Sequence, residues 1–252
     1  MNYFFGINNS DFTSELQIPL FQNRNYKSSE LLLYKAFVQN DNWKFEEIKN
    51  KKINKDFYFL KSEDITNSSI FFLASPKDFN LKNNKLDNFN KFTETSPAYR
   101  ANLKIILKNG GFSSYQSEYP FSMTEKKGSI LSSVSSLANK NADKNYIFIK
   151  NIFNEPIIKS FNAYLVDVIE KKIEEKFEIK TNYTNYFELK KSLIKPEIFL
   201  ITKDFLGIPM YVSVQNKHVS FEHTHPPHEY ILSVNKFKKI TELKNTINEI
   251  IN

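Results

Sequence analysis

The stretch Phe161-Asn162-Ala163-Tyr164-Leu165-Val166-Asp167-Val168-Ile169, then Glu170-Lys171-Lys172, then Ile173-Glu174-Glu175-Lys176-Phe177-Glu178-Ile179 reads as strand, polar turn, strand. β-Branched and aromatic residues crowd both arms and charged residues separate them, as in a hairpin. No glycine marks the turn, so its type stays open. Comparable runs recur along the chain at Tyr3 to Ile7, Leu31 to Val38, Trp43 to Ile48, Asp56 to Leu60, Ile70 to Ala74, Tyr99 to Leu107, Tyr146 to Lys150, Tyr186 to Leu189, Ile198 to Thr202 and Met210 to Val214. Clusters of Asn, Lys and Ser separate them, and no long helical pattern intervenes. That spacing favours antiparallel sheets packed as sandwiches over alternating strand and helix. Only the end differs: Phe237, Ile240, Leu243, Ile247, Ile250 and Ile251 recur at three and four, the stripe of an amphipathic helix that covers a core.

The runs also repeat in order. Ser114-Tyr115-Gln116-Ser117-Glu118-Tyr119-Pro120 lines up with Ser220-Phe221-Glu222-His223-Thr224-His225-Pro226, and a Pro-x-Tyr precedes each, at Pro97 to Tyr99 and Pro209 to Tyr211. Phe57 to Leu60 followed by Ile70 to Leu73 is answered by Tyr186 to Leu189 followed by Ile198 to Ile201, and Tyr3-Phe4-Phe5 by Tyr146-Ile147-Phe148. The expected fold class is therefore all-β: two related antiparallel β-sandwich-like units from an internal duplication, with a short C-terminal α-helix. The expected divisions are 1–122 for the first unit, 123–145 for a linker rich in Ser, Lys and Asn, 146–234 for the second unit and 235–252 for the helix.

Composition narrows the function. The chain has 252 residues, 40% hydrophobic and 25% charged, the range of a folded protein with a real core. It contains no apolar run of the roughly 18 residues that cross a membrane as a helix, and its N-terminal residues do not resemble a signal peptide. The expectation is a soluble, cytoplasmic protein without a membrane partner. Zero cysteines leave no disulfide, thiolate metal site or cysteine nucleophile. The net charge of +7 invites a nucleic-acid partner, but of 35 basic residues only Arg24 and Arg100 are arginine, and the lysines alternate with acids and with 30 asparagines. Arginine's planar fork reads guanine edges and clamps phosphate, so specific nucleic-acid recognition is disfavoured. Strand edges offer a route to oligomers, and a small-molecule or protein ligand is left open.

The chain's four histidines fall together: His218, His223, His225 and His228, with Glu229 adjoining. On a strand through Val219 to His225, Phe221, His223 and His225 share one face, and two imidazoles two residues apart can reach one ion. Pro226-Pro227 ends that strand and allows His228 or Glu229 to bend back. Imidazoles with a carboxylate and no thiolate suit a divalent transition metal: zinc, iron, manganese or copper. The spacing His223-x-His225-x-x-x-Glu229 resembles the first metal motif of the cupins over about seven residues. Cupins carry flanking glycines and a later histidine, whereas this sequence has no glycine after Gly207 and no histidine after His228, so the family is not assigned. The expected function is a metal-binding β-sandwich protein with His223, His225, His228 and Glu229 as ligands and His218 outside them, with metal-dependent catalysis left open. The competing expectation is a non-catalytic protein-interaction or ligand-binding module whose histidines are structural.

Overall fold

The structure is a computed structural model that describes residues 2–20, 31–53, 56–87, 100–125, 128–223 and 234–252. In its first half the strands are β1 Asn2–Tyr3, β2 Phe12–Pro19, β3 Leu32–Gln39, β4 Asn42–Glu47, β5 Lys52–Ile53, β6 Phe57–Leu60, β7 Ile70–Ala74, β8 Ala101–Leu107, β9 Phe112–Ser117 and β10 Tyr119–Pro120, followed by the single turn α1 Phe121–Thr124. The second half holds β11 Leu131–Ser133, β12 Lys144–Lys150, β13 Ser160–Asp167, β14 Lys172–Lys180, β15 Thr184–Glu188, β16 Ile198–Thr202, β17 Ile208–Gln215 and β18 His218–His223, then α2 Val234–Ile251. The protein is thus nearly all β, with antiparallel sheets and a C-terminal helix. No helix among the described residues is long and apolar enough to cross a membrane.

Each half is a two-sheet sandwich. In the first, sheet β5-β6-β2-β8-β9 is set against β4-β3-β7; in the second, β15-β12-β17-β18 is set against β11-β16-β13-β14. Without β5, β11 and the separate pair β1-β10, the chain follows the same path in both: the fourth, first, sixth and seventh strands form one sheet, and the third, second and fifth form the other. The turns rest on residues that tolerate positive φ. Asn40 and Asp41 turn β3 into β4, and Asn216 and Lys217 turn β17 into β18, all four at positive φ. The β13–β14 turn needs no glycine because the Asp167 carboxylate accepts the Ile169 and Glu170 amides at 2.9 and 2.8 Å, with Lys171 at φ 53°. That carboxylate ends β13 two residues before the expected Ile169.

Two expectations shift. The segment from Tyr3 to Ile7 is a strand only at Asn2–Tyr3, which pairs with β10; beyond it the chain crosses the inner face of β2 and β9. The Ser117 hydroxyl accepts the Phe5 amide and donates to the Phe5 carbonyl, and the Ser14 hydroxyl accepts the Ile7 amide at 3.1 Å. A Cβ at Gly6 would fall 2.4 Å from Ile65 and 2.8 Å from the Ser14 hydroxyl, so the crossing requires glycine there. The strand that begins the first sandwich is instead β2, with Phe12, Ser14, Leu16 and Ile18 inward. The 123–145 segment, expected as a connector, supplies β11 as an edge strand paired to β16.

The sheet β15-β12-β17-β18 is buried on both faces. Ile147, Ile149 and Tyr211 face its own partner sheet, beside Ala163, Leu165, Ile198 and Leu200. Tyr146, Phe148, Met210, Val212 and Phe221 face the first half and join its core. Double burial explains why Tyr146 to Lys150 and Pro209 to Val214 are continuous buried runs rather than alternating ones. Phe12 meets Tyr146 and Phe148 edge-on, and Tyr115 of β9 stacks on Phe221 of β18 with centroids 4.6 Å apart. Polar contacts stitch the rim of this joint. The Tyr146 hydroxyl and the Lys144 ammonium both donate to Asp11, and the Gly111 amide donates to Lys217 O at 2.7 Å. Burial, then the hydrogen bond to Asp11, pushes the Tyr146 phenol up to about 12, while the Tyr146 and Lys144 donors hold Asp11 below the usual carboxylate range. On the far side, Ile247 of α2 is buried against Val166 and Ile201, closing the outer face of β13 and β16.

A joint this apolar makes the two halves unfold as one unit. Phe148→Ala, in the second half, is expected to cost about 3–5 kcal/mol. It should lower the urea midpoint read by fluorescence of Trp43, the sole tryptophan, which sits on β4 of the first half. A Trp43 transition that stays put while far-ultraviolet circular dichroism shifts would show independent halves.

Candidate functional site

The histidine strand does not build the expected centre. In β18 the side chains of His218, Ser220 and Glu222 are exposed, while Val219, Phe221 and His223 face the first half. His218 and His223 therefore lie on opposite faces of one strand and cannot share an ion. The His223 ring packs edge-on to Tyr115, centroids 4.7 Å apart, on the face that closes the joint. His225, His228 and Glu229 lie outside the described residues. Among the described residues no group of three or more His, Cys, Asp or Glu side chains could hold a metal ion. The metal-binding reading is corrected accordingly: the strand face it assigned to coordination is used for packing.

A different feature has the shape of a site. A cleft of about 470 Å³ opens at one end of the second sandwich, where β12 leaves for β13, β14 turns into β15, and β16 leads to β17. Ile152, Phe153, Phe161, Phe205 and Leu206 line it, and Met123 of α1 adds a wall from the first half. Phe161 and Phe205 form a tilted ring pair 5.4 Å apart. Around them stand Glu155, Lys159 and Asp204.

The loop 151–159 that walls the cleft has no regular structure, yet buried side chains satisfy its backbone. Asn182, at φ 55° and almost wholly buried, accepts the Phe153 amide at 2.8 Å and donates to the carbonyls of Glu155 and Ile157. The Asn151 amide donates to Leu206 O at 2.6 Å and accepts from Asn182 N. The Thr181 hydroxyl donates to Ile157 O and accepts from Lys159 N. On the opposite side Thr202 holds Phe205 O at 2.6 Å. Backbone groups paired in this way leave a loop little freedom, so the cleft is formed before anything enters it. Sequence reading missed these residues, because in a chain with 30 asparagines two structural ones carry no signal.

It also missed Lys150. This side chain at the end of β12 is fully buried and points into the joint. Its ammonium reaches the carbonyls of Asn67 and Ser69 at 3.3 and 3.4 Å and lies 5.7 Å from the Phe5 ring centroid. No carboxylate among the described residues compensates it, and burial pushes its pKa down to about 7. Asn67 O also accepts the Thr184 amide at 2.8 Å, so the 66–69 turn of the first half is held from two strands of the second.

Comparison with family models, curated proteins and solved structures finds no match.

Lys150 makes stability depend on pH. The unfolded chain holds this proton up to about pH 10.4, whereas the folded chain releases it near 7, so stability is greatest above the unfolded value and falls as pH drops toward 7. Urea unfolding between pH 7 and 9.5 should show stability rising by at most about 1.4 kcal/mol per pH unit. In Lys150→Met the rise should disappear, with stability at pH 7 equal to or above that of the parent. The same slope in both proteins would show that Lys150 is not its source.

Proposed function

We propose that this protein is a ligand-binding module that takes a small amphipathic molecule in the cleft at the end of the second sandwich. The observation that carries this reading is an aromatic-lined cleft walled by an irregular loop whose backbone is pinned by Asn151, Thr181 and Asn182. Its volume is within the roughly 300–1,000 Å³ of small-molecule sites, and preformed walls lower the ordering cost of binding. We also infer that the two halves are copies of one seven-strand unit. The shared strand path supports this, as does the placement of three sequence matches on equivalent strands, β6 with β15, β7 with β16, and β9 with β18; Pro97 to Tyr99 lies outside the described residues, and Tyr3 to Phe5 does not fall on the strand equivalent to that of Tyr146 to Phe148.

Amide spectra of the labelled protein recorded against a library of aromatic fragments test the binding reading. Hits should move a common set of resonances at Phe153, Thr181, Asn182 and Leu206, and Leu206→Trp, which fills the cleft, should abolish those shifts while leaving the rest of the spectrum in place. Shifts that gather elsewhere, or that survive the filled cleft, would overturn it.

A further inference from the structure

We propose that the ligand is a zwitterion on an apolar body, the chemistry of a hydrophobic amino acid or a short hydrophobic peptide. This rests on the cleft being the binding site. Three charged residues line it: Lys159 of one sign, Glu155 and Asp204 of the other. Among the described residues none of the three has an ion-pair partner. Both signs therefore border one small cavity without neutralising each other.

Their backbones are held as firmly as the cavity. Glu155 O accepts from Asn182, Lys159 N donates to Thr181, and Asp204 sits at φ 55°, next to the Phe205 carbonyl that Thr202 fixes. Aspartate tolerates that conformation better than most residues, and it fixes where this carboxylate leaves the chain. An apolar ligand body among Phe153, Phe161 and Phe205 would supply most of the affinity through buried area. An ammonium would find Glu155 and Asp204, together with the faces of the rings, and a carboxylate would find Lys159. A purely cationic ligand would leave Lys159 facing like charge, and a purely anionic one would do the same to the two acids. All three side chains are exposed to water, so each contact is worth little by itself and the charges act as a selectivity filter.

Titration of the 252-residue chain with four probes of the same apolar body tests this: phenylalanyl-leucine, its cationic C-terminal amide, its anionic N-acetyl derivative and the neutral N-acetyl amide, followed by cleft amide shifts. The dipeptide should bind about two- to fivefold more tightly than each singly charged probe, the scale of the one exposed ionic contact by which they differ. Lys159→Met should reduce the dipeptide to the affinity of its cationic amide, and the double variant Glu155→Gln/Asp204→Asn should reduce it to that of its N-acetyl derivative. If a singly charged or neutral probe binds the cleft as tightly as the dipeptide, the zwitterion assignment falls while the cleft remains a binding site. If no probe moves the cleft amides, both fall.

Discussion

One sheet, β15-β12-β17-β18, is buried on both faces, and the rest of the molecule is arranged around that constraint. A sheet covered by its own partner and again by a neighbouring sandwich must bury both faces of its central strands, and β12 and β17 do so from Asn145 to Lys150 and from Ile208 to Val214, with apolar residues everywhere except the hydrogen-bonded Asn145, Lys150 and Ser213. Burial on this scale explains why a fully buried lysine is tolerated at the end of β12. The apolar contacts of Phe12, Tyr146, Phe148 and Met210 around the joint outweigh its desolvation, which shows instead as a depressed pKa. The polar contacts at the rim, the Asp11 ion pair with Lys144 and its hydrogen bond from Tyr146, orient the joint more than they hold it, since exposed pairs contribute little.

The same constraint decides what β18 can do. Its inner face is needed to cover the first half, so Phe221 stacks on Tyr115 and His223 follows it into the aromatic contact. A histidine cluster in a sequence is a statement about proximity along the chain, whereas coordination needs convergence in space. On β18 alternation sends His218 to solvent and His223 to the joint. The cleft arises where the constraint relaxes. At the end of the second sandwich the strands have separated, side chains from three connections meet, and Asn and Thr side chains replace the ladder as partners for the backbone.

Most strands were legible because their apolar residues are local and periodic: Ile70 to Ala74 and Ile198 to Thr202 match their strands end to end. β2 was not, because the hydroxyl of Ser14 interrupts its apolar series, and that serine is inward to accept the Ile7 amide and donate to the Asn8 side chain of a segment crossing above it. Tyr3 to Ile7 misled for the complementary reason. It is apolar like a strand, but its backbone pairs with other strands only at Tyr3 and, in a lone bridge to Phe71, at Phe4, after which Ser117 and Ser14 side chains satisfy Phe5 and the Ile7 amide. Nothing of the cleft was legible: its apolar residues read as ordinary core, and Asn151, Thr181 and Asn182 matter only through partners far along the chain.

By itself the sequence determined that the protein is built from antiparallel strands with a helix at its end, because residue type and period are local properties that act before any long-range contact forms. Only the tertiary structure decided which sheet lies between two others, which lysine loses its water, which histidine is packed away and where a cavity is left. Those outcomes depend on which faces meet, and the pairing of faces is a property of the whole chain.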